Sequence, residues 1–318
     1  MSEKIRVYFL GAGRIAVPVL NELNAAADIE LLGIGTQLDR PAGRRKKLHP
    51  TPVGEYTLAN GFNADKVASV NCDDFLCRLS KLAPDFIIVA SFGQILKQPL
   101  LELPRFGCVN VHASLLPLYR GASPITASIV NRDSKTGITF MQMDKGLDTG
   151  GIYEKMEFLL EGHERNDSLE IALGELAAGK IVELLDAIKF AGRKPEPQDD
   201  KLATLTRKLR KADGDIDWHE SAAQLEAKIR GYHPWPGTAF RMQANDHEMK
   251  IHITDARLEP GLKGAPGEVL QADKKGLIIA CGQDALRVLD VTPPGKKVMT
   301  ATAFLNGHKL LPGAIVSL

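Results

Sequence analysis

The sequence predicts an α/β protein, with an N-terminal domain on a mostly parallel sheet followed by a small C-terminal antiparallel β-barrel domain. Three observations carry this. Over the first half, short Ile/Val/Phe-rich runs alternate with stretches of helical apolar spacing, the pattern of βαβ units. Those runs are nearly continuous rather than alternating, as strands covered on both faces require. In the last hundred or so residues the apolar runs shorten, and glycine and proline turns separate them.

The elements follow in order. "KIRVYFL" (4–10) is a first strand, and the apolar spacing from Ile15 to Leu23 makes a helix after it. "IELLGIGT" (29–36) is a second strand, and Asp73 to Leu82 a helix. "PDFIIVAS" (84–91), "GCVNVHA" (107–113) and "GITFMQM" (137–143) are further strands of the same sheet. Ser168 to Phe190 is helical, with Asn166 or Asp167 as its cap. "AGRKPEPQDDKLATLTRKLRKADGD" is rich in charge and poor in large apolar residues, so it reads as an exposed linker. "SAAQLEAKIRGY" is a short helix, and "TAFRMQ", "MKIHITDARL", "GEVLQA", "GLIIACG" and "ALRVLDV" are strands of the barrel. The expected organisation is a domain over 1–190, a basic linker over 191–212 and a second domain over 213–318.

The totals bound the function. A chain of 318 residues with 44% hydrophobic and 25% charged residues has an ordinary globular composition and room for two cores. The formal charge of +1 points to no particular partner, so a nucleic-acid surface would have to be a local patch. No apolar run approaches the roughly 18 residues of a membrane span. "MSEKIRVYFLGAG" has no secretory pattern, so a cytoplasmic protein is expected. Cys72, Cys77, Cys108 and Cys281 form no CxxC pair and have no histidine at ligand spacing; scattered, reduced core thiols and no metal are expected.

"FLGAGRIA" sets Gly11 and Gly13 after the first strand with Ala16 in the third slot, half of a dinucleotide fingerprint. The second strand does not end in the acidic residue a ribose needs, since Asp39 lies beyond it in a basic loop. A tight strand-to-helix turn explains the glycines without a nucleotide.

The chemistry concentrates at "GCVNVHASLLPLYRG" (107–121). Asn110 and His112 sit two apart on a buried strand and so project to one side, at the end where open parallel sheets bind ligands. Buried polar groups are costly unless they serve each other or a substrate. "MQMDKGLDTGGIY" follows the next strand, with Gly146, Gly150 and Gly151 to bend it and Asp148 placed to return over His112. A carboxylate, an imidazole and an amide suit attack on a carbonyl. The amide and a protonated imidazole donate to the developing oxyanion, and the carboxylate orients the imidazole and collects a proton through water. No serine or cysteine stands at a nucleophile elbow, which favours direct transfer to an external nucleophile.

"NVHASLLP" with "MDKGLDTG" resembles the signature of the folate-dependent formyltransferase family. The resemblance implies a Rossmann-like catalytic domain and Asn110, His112 and Asp148 as the catalytic set. It implies 10-formyltetrahydrofolate as formyl donor, contacted by Ser114, Leu115, Leu116 and Pro117, and it sets Phe92, Gly93, Gln94 and Ile95 of "ASFGQIL" beside the pterin. "TQLDRPAGRRKKLHPTPV", "DIDWHESAAQLEAKIRGYHPWPGTAF" and "PPGKKVMTATAFLNGH" are similar to the branch of that family that formylates initiator methionyl-tRNA, so the likeness covers nearly the whole chain. It implies an OB-like second domain that helps hold the tRNA, and no obligate protein partner; a monomer is expected. "GAGRIA" departs from the family's usual Gly-Thr-Pro-x-Phe turn.

The basic clusters fit a phosphate-bearing acceptor. Arg40, Arg44, Arg45, Lys46 and Lys47 crowd one loop, Arg207, Lys208, Arg210 and Lys211 lie in the linker, and Lys296 and Lys297 follow a turn. Rival readings are a formyltransferase acting on an amino sugar nucleotide, which would not need "GRRKK", and a non-catalytic tRNA-binding module, which would not need a folate site.

Overall fold

The structure, a computed structural model, describes residues 3–42, 47–244 and 247–317. It divides into two compact units. The first takes in the described residues up to Pro124, Lys135–Leu159 and Ser168–Thr206; the second takes in Ile125–Ser134, Leu160–Asp167 and the described residues from Arg207 onward.

In chain order the strands of the first unit are β1 (Ile5–Gly11), β2 (Ile29–Thr36), β3 (Arg40–Ala42), β4 (Lys47–His49), β5 (Asp65–Lys66), β6 (Phe86–Ala90), β7 (Cys108–His112), β8 (Arg120–Gly121), β9 (Lys135–Gln142), β10 (Ile152–Leu159) and β11 (Leu205–Thr206). Its helices are α1 (Ala16–Ala25), α2 (Pro52–Ala59), α3 (Asp73–Leu82), α4 (Gln98–Leu101) and α6 (Asn166–Lys189), while α5 (Pro124–Val130) belongs from Ile125 onward to the second unit. The main sheet has the order β10-β9-β7-β6-β1-β2-β5. β6 is buried at every position, so its unbroken Phe-Ile-Ile-Val-Ala run is what a central strand with two covered faces demands. β5, β2, β1, β6 and β7 are mutually parallel, which brings the C-terminal ends of β6 and β7 to one edge.

β9 departs from the expected parallel arrangement: it runs antiparallel to β7, with His112 opposite Thr139 and Val109 opposite Gln142. An antiparallel neighbour needs no crossover connection, and the chain re-enters the sheet at the end where it left. β10 then pairs antiparallel with β9 as the edge strand. The helix expected from Ser168 begins at Asn166, so both proposed capping residues fall in its first turn.

The stretch read as an exposed linker is tied to the first unit as far as Thr206. Arg193 donates to Glu154 Oε2 at 2.7 Å and to the Tyr153 carbonyl at 2.6 Å, Glu196 and Ile152 exchange backbone hydrogen bonds, and β11 pairs in parallel with β8. Its hydrophilic side chains attach it by hydrogen bonds rather than by apolar burial, which is why its composition resembled a tether. The cysteine expectation holds for two residues only. Cys108 and Cys281 are buried, and burial pushes both thiols up to about 12. Cys72 and Cys77 are exposed, because α3 turns Phe75 and Leu79 to the core and Cys77 away from it.

The second unit contains α7 (Ala222–Gly231), β12 (Thr238–Ala244), β13 (His247–Glu259), β14 (Val269–Asp273), β15 (Gly276–Ala280), β16 (Ala285–Thr292), β17 (Met299–Thr300) and α8 (Ala301–Gly307). Its sheet has the order β12-β13-β16-β15-β14, all antiparallel, with β17 on β16. The last described residues join its two edges: Arg241 of β12 and Ser317 exchange backbone bonds, and Val316 N–H donates to the Gly267 carbonyl at 2.9 Å beside β14. The barrel is filled by Phe240, Ile251, Ile253, Leu277, Leu286 and Val288, against which α7 packs Leu225 and Ile229. Among the described residues, no helix is long and apolar enough to cross a membrane and no group of three or more His, Cys, Asp or Glu side chains is placed to hold a metal ion.

Candidate active site

The site is built at the C-terminal end of β7. His112 is the last residue of the strand and is 6% exposed, and Asn110, half-buried, precedes it by two. The Nε2 of His112 lies 3.1 Å from the carbonyl oxygen of Tyr119. A carbonyl can only accept, so this nitrogen carries the proton and Nδ1 is left as the nitrogen that gains or loses one. Nδ1 faces Asp148 Oδ2 at 3.7 Å, wider than a direct hydrogen bond. That same oxygen accepts from the Gly121 N–H at 2.7 Å. Among the described residues the Asn110 side-chain amide has no hydrogen-bond partner, so its donors are available to a ligand.

Asp148 reaches this place against the run of β9. That strand ends beside Cys108, whose carbonyl accepts from Met143 N–H at 2.8 Å, so the following loop must fold back toward His112. The fold-back places Asp148 itself at φ +53°, a left-handed conformation that costs a non-glycine residue. The carboxylate and the imidazole named from the sequence thus lie 3.7 Å apart, and the amide stands two residues back on the same strand, though the carboxylate does not arrive by the parallel-strand route.

The Ser-Leu-Leu-Pro turn is fixed from beneath by Thr139 of β9. Thr139 Oγ1 donates to the Ser114 carbonyl at 2.6 Å and accepts from the Leu116 N–H at 3.0 Å. Ser114 is fully buried and its hydroxyl donates to the Leu118 carbonyl at 2.6 Å, while Leu116 is in the core; Leu115 and Pro117 are half-buried. In the Phe92–Ile95 stretch the side chains also divide. Phe92 is buried in the core, and Gln94 spends its amide on the backbone of Val67 and Val70, both at 3.0 Å. Gly93 (φ +77°) presents backbone, and Ile95 is 82% exposed. The Phe92 carbonyl accepts from Gln37, and Gln37 in turn accepts from Arg40, so this loop and the base of the basic hairpin β3–β4 are hydrogen-bonded in series.

The glycine turn after β1 is occupied from within the protein. Glu170 of α6 accepts from the N–H groups of Arg14 at 2.8 Å and Ile15 at 3.3 Å, the groups that would otherwise receive a dinucleotide's pyrophosphate. A Cβ on Gly13 would lie 2.4 Å from Ser91 Oγ and one on Gly11 2.5 Å from Phe9, so close packing accounts for both glycines.

Of the basic residues, Arg40 and Lys47 are exposed on the hairpin, and Arg44, Arg45 and Lys46 lie outside the described residues. Lys208, Arg210 and Lys211 are exposed on the second unit, as are Lys296 and Lys297. Arg207 differs. Its guanidinium grips Asp213 through both oxygens, at 2.7 and 2.5 Å, and these hydrogen bonds hold the Asp213 carboxyl at about 2. The residues that sequence reasoning passed over are Thr139, Tyr119, Gln198 and Glu170. A threonine inside "GITFMQM" is a signal of sorts, being a polar group in an apolar run; the other three carry none.

The chain belongs to the formyl transferase family: residues 3–185 match that family, and residues 208–309 match its C-terminal domain. Within the family it is similar to methionyl-tRNA formyltransferases. That of Geobacter metallireducens is 38% identical over 309 residues, covering 97% of each chain. That of Marinobacter nauticus is 38% identical over 312 residues, covering 97% of this chain and 99% of the other. Among solved structures, HypX from Aquifex aeolicus in complex with tetrahydrofolic acid shares the fold, with a TM-score of 0.61 and 16% identity. The match covers 96% of this chain and 47% of that one, so this chain spans about half the length of that protein.

Proposed function

We propose that this protein transfers the formyl group of 10-formyltetrahydrofolate to the amino group of initiator methionyl-tRNA. The observation that carries the reading is the approach of Asp148 to His112, with Asn110 two residues back on the same strand, in a chain whose full-length relatives bear the name of that activity. The neutral methionyl amine attacks the formyl carbon, forming a C–N bond and a tetrahedral oxyanion. The Asn110 amide and a protonated His112 Nδ1 donate to that oxyanion. Asp148 balances the imidazolium across 3.7 Å and takes the amine's proton through water. The bond to N10 of the folate then breaks, N10 takes up a proton, and tetrahydrofolate leaves.

The donor rests on the Ser114–Pro117 turn and the Phe92–Ile95 loop, whose side-chain amide and hydroxyl groups are already engaged. Backbone groups and the leucine surface are therefore the contacts offered to a flat, partly polar ring. Arg40, Arg44, Arg45, Lys46 and Lys47 supply phosphate contacts to the tRNA, with Lys208, Arg210 and Lys211 adding to them; Arg207 contributes less because Asp213 already fills its fork.

A formyl-transfer assay with charged initiator tRNA, elongator methionyl-tRNA and an amino sugar nucleotide as parallel acceptors tests this. Preferred transfer to initiator tRNA is expected. Transfer to the sugar nucleotide alone, or folate-independent tRNA binding without transfer, overturns the reading. Replacing Arg44 and Lys46 together by alanine should weaken tRNA binding, lower the salt slope of binding by about two, and leave donor binding unchanged. An unchanged tRNA affinity at low salt would remove the loop from the acceptor site.

A further inference from the structure

We infer that Gln198, held in place by Arg120, is a positioning residue for Asp148, an inference that rests on the proposed catalytic role of that carboxylate. Gln198 lies on the segment between α6 and β11, far in sequence from the site. Its Nε2 donates to the carbonyl of Asp148 at 2.9 Å and to the carbonyl of Gly150 at 2.7 Å. Its Oε1 accepts from Arg120 Nε at 3.1 Å and Nη2 at 2.8 Å. The amide is thus fixed at both ends, and its two N–H groups point at the turn that carries Asp148.

Arg120 is 5% exposed and is completed by Asp200 Oδ1 at 2.7 Å, so the guanidinium is a fixed platform and not a solvated charge. The clamp has a second point. Asp148 Oδ2 is held by the Gly121 N–H, and Gly121 is in β8, which pairs with β11. Thr206 Oγ1 donates to the Arg120 carbonyl at 3.1 Å and accepts from Ser123 N–H at 3.1 Å. A single strap, running from Gln198 to Thr206, therefore fixes both the backbone of the aspartate's turn and the peptide that holds its carboxylate.

Such a strap has a clear purpose here. Asp148 sits at φ +53°, and the loop returns over a strand that left in the opposite direction; from within, it is braced at Asp144, which accepts from Gly146 N–H at 2.9 Å and Thr149 Oγ1 at 2.7 Å, but none of these bonds reaches Asp148 itself. The bonds to Asp148 come from outside the loop, from Gln198 to its carbonyl and from Gly121 to its carboxylate. The strap also leads straight into Arg207 and the cationic residues that follow it in sequence.

The test is Gln198→Glu. It keeps the acceptor for Arg120 and the size of the side chain, but sets a carboxylate against two carbonyls in place of two donors. A merely structural role through Arg120 would leave it active. The positioning role predicts a kcat at least tenfold lower, KM for both substrates within twofold, and a melting temperature within a few degrees of the parent. Should that variant fail to fold, Gln198→Met, which removes donors and acceptor at similar volume, is read for the same split. Parent-like kcat in the variant that folds overturns the inference, as does a loss confined to KM. Absence of formyl transfer by the unmodified protein would instead sink the functional reading itself, and full activity of Asp148→Asn would remove only the catalytic role of that carboxylate, so the failures are told apart.

Discussion

Replacing His112 by alanine will lower kcat for formyl transfer by about a thousandfold, with KM for the donor changed little. The imidazole is placed for two roles at once. One nitrogen is fixed by the Tyr119 carbonyl at 3.1 Å, and the other faces Asp148 at 3.7 Å, the side on which the proposed mechanism brings in the amine. In the proposed mechanism alanine removes a donor to the oxyanion together with the group whose charge Asp148 balances. It also removes one hydrogen bond to the Tyr119 carbonyl, worth about 0.5–1.5 kcal/mol. A domain stable by about 5–15 kcal/mol absorbs this, so the variant should fold and still bind both substrates. Single-turnover transfer to charged initiator tRNA, with thermal unfolding alongside, measures both halves of the expectation. A variant with parent-like turnover would place the chemistry elsewhere.

The second large effect is expected at Gly150. A Cβ built there would lie 1.7 Å from the backbone oxygen of Gln142, an atom anchored in β9 that cannot give way as a flexible side chain can. In Gly150→Ala the loop must therefore move, and Asp148 moves with it. Displacement of a catalytic group by about an ångström costs on the order of a hundredfold in rate. The strands on either side keep their pairing, so the melting temperature should fall far less than the rate. Gly179→Ala supplies the control. Gly179 is an exposed position inside α6 whose added Cβ meets nothing within 4 Å, and this variant should be fully active and slightly more stable. A fully active Gly150→Ala would show that the carboxylate's position is not critical.

The sequence was most informative where side chains are buried on a regular period. The runs 29–36 and 73–82 form the expected strand and helix without a shift of boundary, because β-branched content and i, i+4 apolar spacing report burial directly. β10 escaped notice because an edge strand half-covered on one face mixes Glu and Lys into its alternation, and "YEKMEF" then looks like a solvated acidic surface. Asn110 and His112 were legible because two polar groups in a buried strand are costly without a purpose. Asp148 was found by the glycines around it, but the direction of its approach was not, since strand polarity is set by topology and leaves no mark on composition. Gln198 and Glu170 had no signal at all. Each acts through a contact with a backbone distant in sequence, and an isolated glutamine or glutamate resembles any surface residue.

The bond between Glu170 and the turn at Arg14 spans 156 residues. During synthesis the first helix therefore emerges from the ribosome with its opening amides uncapped, and their acceptor arrives only after more than half of the polypeptide has been made. Lys189, which joins Glu3 and Asp85 at the far end of the same long helix, repeats the arrangement. The first domain thus closes on itself late in translation, and chains that terminate before this helix would carry all the strands of the main sheet without the helix that ties them down, a substrate for quality-control proteases rather than a partly working enzyme.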